Sequence, residues 1–440
     1  MDTILGKGKK DISMLLTFVA ADNYLEDRGK LGFVITQSVF KTSGAGQGFR
    51  RFVLGSGTSV GVVGVDDLVD VQPFEGATNR TAVVVLQRGR ATRYPLAYTM
   101  WRKTTSRKRV PEDATLEEVS AMSVRRRLDA QPIGAGDLTS SWMTGRRRAL
   151  LAVEKVIGQG AYRAFEGSNT GGANGVYWMQ LVAKRPDGML VVSNLTEGAK
   201  RHVDSVQAAI EPDLVYPLVR GRDVNRWHVD TGAHILMAQD PVRRRGYEEN
   251  WMSVRCPKTY AYLKRFEDTL RSRAAFLRYF GDGAAFYSMF NVGEYTFAPH
   301  KVVWREQANR FTAAVVPLRD RPPVPDHKLM LVPLDNEDSA RYVAACLNSS
   351  PGQFVVLSYA VNIQMNTHIL EHVRVPSFDA QLTEHRRLAE LSKQAHAATT
   401  AGDAALVLEL EAEIDRAAAE LWGLTADELK EIQESLVELD

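Results

Sequence analysis

The sequence predicts an α/β protein that opens on part of a doubly wound sheet, then runs into a mixed α+β region and a C-terminal helical hairpin. Three observations predict this. Ile12, Leu15, Leu16, Val19 and Ala20 recur at helical spacing within residues 11–25. Leu31-Gly-Phe-Val-Ile35 is a short apolar run, the pattern of a strand buried on both faces of a parallel sheet. Beyond Leu382, Leu and Ala repeat with helical period beneath a Glu-rich outer face.

Taken in order, the first helix stops at Gly29 and the strand 31–35 follows. Residues 36–48 are polar and glycine-rich, so a loop is expected, then a second helix around 49–54. Strands are expected at 60–65 and 81–87, joined by a connection at 71–76. Helix alternating with apolar strand gives the α/β class. In such sheets the ligand crevice lies at the carboxyl ends of the strands, and the first βα turn carries a glycine-rich loop. Here the helix and strand after Met1 look like the middle of such a sheet, so the chain is expected to begin part-way through it.

Residues 102–150 read as a basic connector, with a short helix opened by Pro111–Glu118. Residues 151–379 offer strands at 175–181, 189–194, 234–239, 301–304 and 328–332, and helices at 258–273 and 342–347. Residues 380–440 form the hairpin, with Gly423 and Thr425 setting off a final capped helix. The expected organisation is therefore 1–101, 102–150, 151–379 and 380–440.

With 440 residues, 45% of them hydrophobic and 25% charged, the chain has globular composition, which excludes a disordered or collagen-like chain. Two cysteines, Cys256 and Cys346, make neither a disulfide framework nor a four-cysteine zinc site and fit a reducing cytoplasm. No apolar run reaches the roughly 18 residues of a membrane span. The net charge of +2 hides an asymmetry: residues 1–150 carry 23 Lys and Arg against 15 Asp and Glu, residues 380–440 carry 5 against 14. A basic body with an acidic tail points to a polyanionic partner.

Several strings resemble one family. Lys9-Lys-Asp-Ile-Ser13 with Gly29-Lys-Leu-Gly-Phe-Val-Ile-Thr-Gln-Ser-Val-Phe40 resembles the middle of an adenine-N6 DNA methyltransferase domain. Gln72-Pro-Phe-Glu-Gly-Ala-Thr-Asn-Arg-Thr-Ala-Val-Val-Val-Leu86 is similar to its later aromatic-turn and strand motif. Tyr216-Pro-Leu-Val-Arg-Gly-Arg-Asp-Val-Asn-Arg-Trp227, Tyr295-Thr-Phe-Ala-Pro-His-Lys-Val-Val-Trp-Arg305, Cys346-Leu-Asn-Ser-Ser350 and Arg374-Val-Pro-Ser-Phe378 resemble the target-recognition region of Type IIG restriction–modification enzymes. The resemblance runs in family order over most of residues 7–395. It implies a partial Rossmann-like methyltransferase sheet at 1–101, a target-recognition domain at 151–379, double-stranded DNA as partner and S-adenosylmethionine as cofactor of the assembled enzyme. The family's glycine-rich cofactor loop and its Asn-Pro-Pro-Tyr tetrapeptide have no counterpart here; the one Pro-Pro is in Arg321-Pro-Pro-Val324. The resemblance thus implies a second chain carrying that N-terminal half, and no cofactor bound by this chain alone.

The candidate residues follow. By the resemblance, Phe74 would stack on an extruded base, offsetting lost stacking; its bland alternative is a turn anchor in the core. Gly44-Ala-Gly-Gln-Gly48 lacks the full dinucleotide fingerprint and reads as a flexible loop. The acid-free stretch holding Arg88, Arg90, Arg93, Arg102, Lys103, Arg107, Lys108 and Arg109 would neutralise phosphates, against a solvated linker. Arg220, Arg222 and Arg226 could read guanine or clamp phosphate, against an Arg–Asp223 ion pair. Lys301, Arg305, Gln307 and Asn309 form a second polar cluster, and Asn362, Gln364, Asn366 and His368 a third on an expected extended segment. Asp326-His-Lys328 has the letters of a nuclease motif but not the upstream acidic strand, so it reads as a loop entering a strand. His368 and His372 lack a third ligand, so no metal site is expected. Three functions remain open: a split adenine-N6 methyltransferase, a non-catalytic DNA-specificity subunit or truncated remnant, and an interaction scaffold built on the hairpin.

Overall fold

The computed structural model describes residues 11–42, 44–74, 80–104, 110–111, 113–134, 136–308, 310–359 and 365–439. The first helix is Ile12–Tyr24, where Asp11 accepts from the Ser13 amide at 2.9 Å and from the Thr36 hydroxyl. An N-terminal aspartate satisfies amides that the helix itself leaves unpaired. Met14, Thr17, Phe18 and Ala21 are buried against the first sheet, while Ile12, Leu16 and Val19 form an exposed stripe on the same helix.

That sheet has six strands: β1 (Lys30–Thr36), β2 (Val60–Asp67), β3 (Thr81–Arg88), β4 (Leu96–Lys103), β5 (Ser123–Pro132) and β6 (Trp142–Gly145). Their spatial order is β1-β3-β2-β4-β5-β6. Only β2 and β4 are parallel neighbours; β3 runs antiparallel between β1 and β2, which therefore point the same way. The buried parallel strand expected at 31–35 is thus corrected. β1 is an edge strand paired antiparallel to β3, with Lys30, Gly32 and Val34 exposed. Its two-sided apolar sequence suits a central strand, but it has a neighbour on one side only.

Two further expectations are corrected. The helix expected at 49–54 lies at Ala45–Phe49, within the stretch read as a flexible loop. A Cβ at Gly46 would sit 2.6 Å from the Thr42 hydroxyl, so the glycine is there for close packing. The basic connector is largely sheet, since β4, β5 and β6 extend the strands before residue 101. Its arginines alternate across β5: Arg125 stacks at 4.0 Å over Trp101, and Arg126 donates to the Glu438 carbonyl. A run of charge masks period-two alternation when each side chain has a partner. The short helix is Leu116–Ala121, closed by a Thr115–Glu118 capping box.

Among the described residues, 151–379 build two larger sheets and two two-stranded ones, Val224–Asn225 with His228–Val229 and Gln239–Asp240 with Arg245–Gly246. One larger sheet has six strands, ordered Gln207–Ile210, Leu190–Asn194, Trp178–Lys184, Ala233–Leu236, Val215–Val219 and Val324–Pro325. The other has four, ordered Ala313–Val315, His300–Arg305, Leu329–Leu334 and Phe165–Glu166. The helix expected at 258–273 is two, Pro257–Lys264 and Glu267–Arg271. The hairpin is three helices, Thr383–Ala401, Ala404–Trp422 and Ala426–Leu439. The core around Trp304, Tyr342, Phe354 and Trp422 joins these helices to the four-stranded sheet, so the acidic tail is packed against the body. Arg146 binds Glu434 and Glu438, and Lys155 binds Glu428 at 2.8 Å, across the same junction.

Candidate nucleic-acid interface

Phe74 lies in the loop from β2 to β3, at the end of the sheet where β1 and β2 terminate. It is 47% exposed, which disfavours the core-anchor reading. Gln72, two residues before it, holds φ +47°, a left-handed conformation that costs a non-glycine residue. At this same end lies a buried polar cluster that sequence reasoning missed. Tyr98 donates to Asp67 Oδ2 at 2.5 Å, and Gln37 Nε2 reaches the same oxygen at 3.3 Å. Burial first, then the Asp67 carboxylate, raises the Tyr98 hydroxyl well above its usual value. Lys41 donates to the Ser358 carbonyl at 2.7 Å, tying this end of the sheet to the helix Ser350–Tyr359. Burial lowers the Lys41 ammonium to about 8, with Asp67 pulling it partly back. An acid pair closing a strand and a lone lysine in a glycine-rich loop are weak sequence signals, which explains the omission.

The basic run is divided by the sheet. Arg102 and Lys103 end β4 on the Phe74 side, where the Lys103 amide donates to Asp70 at 2.7 Å and Arg102 donates to the Leu439 carbonyl. Arg88, Arg90 and Arg93 lie at the opposite end, after β3. Arg88 is committed to the Ala21 and Asp22 carbonyls at 3.0 and 2.8 Å; Arg90 and Arg93 are exposed. The run therefore does not form one continuous surface. Arg107, Lys108 and Arg109 lie outside the described residues, as do Asn309, Asn362 and Gln364.

The recognition residues divide similarly. Arg220 makes a two-point pair with buried Asp223 at 2.7 and 3.0 Å, the ion-pair alternative. Arg226 binds Glu411 of the helix Ala404–Trp422, whose Oε1 also accepts from the Trp227 indole at 2.7 Å. Arg222 is exposed. Arg305 donates to Asn225 at 3.0 Å, and its Nε is buried without a hydrogen-bond partner. Glu306 accepts from the Met365 amide at 2.7 Å, and Met365 in turn accepts from the Trp304 indole at 2.8 Å. Gln307 is exposed beside them. Asn225, Arg305, Glu306 and Met365, the last at the start of the described part of 361–368, thus meet at the end of the strand His300–Arg305. The extended form expected around Asn366 and His368 is corrected: Thr367–Glu371 is a 3-10 helix, and burial lowers the His368 imidazole.

Lys301 is corrected as a phosphate contact. It is 1% exposed, donates to the Ala298 carbonyl, and burial lowers it to about 7. An unfolded lysine keeps its proton to about pH 10. Folding therefore opposes protonation, the penalty is full below pH 7, and stability rises with pH between about 7 and 10. Lys301→Met is expected to raise stability by about 1–3 kcal/mol at pH 6.5 and by much less at pH 10, read from urea unfolding at both values. A destabilisation equal at the two pH values would refute this. Asp326 is likewise internal, 2% exposed and raised by burial to about 7, accepting from the Lys328 amide at 2.9 Å. It belongs to the loop entering Leu329–Leu334, and no cluster of metal-ligating side chains occurs among the described residues.

No family model matches the chain, and no curated protein matches it in sequence. Solved structures do. The chain is similar in fold to MmeI. That protein is a Type IIL restriction–modification enzyme solved in complex with DNA; the likeness has a TM-score of 0.54 at 9% identity and covers 100% of this chain and 54% of MmeI. The chain thus spans about half the length of MmeI. The Type IIG restriction endonuclease BpuSI is matched over 94% of this chain and 50% of its own, at 11% identity and a TM-score of 0.30, too loose for a fold argument.

Proposed function

We propose that the chain is the rear part of a site-specific adenine-N6 DNA methyltransferase of a restriction–modification system, joined to its target-recognition domain. It grips duplex DNA and supports the extruded base, and it transfers a methyl group only with a polypeptide that carries the cofactor loop and the Asn-Pro-Pro-Tyr tetrapeptide. The observation that carries this reading is the meeting of Asn225, Arg305, Glu306 and Met365, in a chain whose fold follows half of a DNA-bound enzyme. Arg305, Arg222 and Gln307 are its base or phosphate contacts, with Arg102 and Lys103 beside Phe74. The residues present do not fit S-adenosylmethionine: Gly46 and Gly48 are buried in the helix Ala45–Phe49 rather than lining an open turn. No step is therefore assigned to that cofactor on this chain.

Fluorescence anisotropy with a duplex tests the reading. Affinity is expected to fall steeply from 50 to 200 mM salt, as phosphate neutralisation requires. With the complementing polypeptide added, Phe74→Ala should lower methyl transfer by roughly 10- to 100-fold, the worth of one stacked base, with an unchanged thermal midpoint. Salt-dependent affinity without methyl transfer beside any such polypeptide would favour a non-catalytic specificity subunit; no affinity at low salt would sink both.

A further inference from the structure

A cavity of about 620 Å³ opens where residues 227–230 and 315–319 meet the helices Glu337–Asn348 and Thr383–Ala401. Trp227 and Val315 form apolar wall, and Arg319, Arg341 and Lys393 supply three cations. Asp230 is the one acid among the lining residues; its side chain is 70% exposed and 3.3 Å from the His228 imidazole. His396 adds no charge. Its Nε2 accepts from the Val315 amide at 3.0 Å and its Nδ1 donates to the Ser392 carbonyl at 2.7 Å, which fixes the neutral ring. Burial foremost, then Arg341, lowers that imidazole to about 3.

Arg341 is the informative side chain. Its Nε and Nη2 bind Glu337 at 3.2 and 2.9 Å, while Nη1 is buried without a hydrogen-bond partner. A guanidinium hydrogen withdrawn from water and left unpaired costs free energy that an incoming oxyanion removes. Trp227 adds a second, independent sign. It holds φ +60°, a conformation that bulky residues adopt only when the surroundings impose it, and such strain concentrates at ligand sites.

We propose that this cavity binds a phosphate group, with Arg341, Lys393 and Arg319 as its cationic contacts over the Trp227 wall. Tetrahedral oxyanions suit it because guanidinium groups offer paired donors, and with Arg341 paired to Glu337, Arg319 and Lys393 still outnumber the one lining carboxylate, Asp230. The phosphate can come from a DNA backbone or from a free phosphate or nucleotide. The site abuts the segment 216–227 through Trp227 and holds whether or not the chain methylates.

The test is a thermal titration of the full chain with inorganic phosphate against chloride at matched ionic strength. The midpoint is expected to rise with phosphate and to saturate, as binding to the folded state requires. The double variant Arg319→Gln, Lys393→Gln changes two exposed side chains and should leave the starting midpoint intact while weakening the phosphate response at least tenfold. If that variant also binds duplex more weakly, with a salt slope lower by about two, the natural occupant is a backbone phosphate. If duplex affinity is unchanged, the occupant is a free phosphate or nucleotide. A wild-type midpoint indifferent to phosphate, or a variant that responds as wild type, overturns the proposal.

Discussion

Arg273→Met is expected to destabilise the protein by roughly 3–5 kcal/mol, among the largest costs a single substitution can impose here. Arg273 is 0% exposed, and its guanidinium donates to four backbone carbonyls: Leu270 at 2.7 Å, Thr170 at 2.9 Å, Phe286 at 2.7 Å and Ser288 at 2.9 Å. It thereby ties residues 170, 270–273 and 286–288 into one unit. Methionine matches the stem but leaves those carbonyls buried and unpaired, and each such acceptor costs about 1–3 kcal/mol. Arg273→Lys should recover only part of the loss, because one ammonium cannot present the planar fork. Urea unfolding of the three proteins measures both differences. A methionine variant within 1 kcal/mol of wild type would show that water reaches these carbonyls.

Arg273 also shows where sequence reading stops. It ends a stretch read as helix and carries no motif, yet it is more deeply buried than any described arginine chosen for DNA contact. Apolar periodicity located the first helix, β2, β3 and the strands at 300–305 and 329–334 to within a few residues, since each buries a regular face. It failed at β5, where alternating arginines are satisfied by Trp101 and the C-terminal carbonyls, and at Ala45–Phe49, where glycines pack tightly. At the candidate site, sequence order named the segments that supply Asn225, Arg305 and Met365. It could not tell Arg222, which is exposed, from Arg220 and Arg226, which are paired, because the partners Asp223 and Glu411 are chosen by the fold. Asp67, Tyr98 and Lys41 converge only once β1, β2 and β4 are aligned.

Placing two charges on the outer stripe of the first helix, Leu16→Asp with Val19→Asp, is expected to abolish methyl transfer by the complemented protein while leaving duplex affinity intact. Ile12, Leu16 and Val19 are 71%, 50% and 52% exposed, and Val34 on the neighbouring edge strand is 46% exposed. A helix apolar on both faces beside a strand edge to which no other described strand is bonded is a surface suited to a further polypeptide, and among the described residues β1 pairs with β3 alone. The match takes in 54% of MmeI and leaves the rest of that enzyme outside it, which fits a complementing polypeptide as occupant under the proposed function. Two apolar side chains buried there contribute about 2 kcal/mol each, and a buried unpaired carboxylate opposes binding further, so affinity should fall at least about a thousandfold. The chain alone should self-associate through the same surface, and the double variant should suppress it in sedimentation velocity. Both residues are exposed, so the thermal midpoint serves as the control. Full methyl transfer by the variant, or unaltered self-association, would show that the complementing half docks elsewhere.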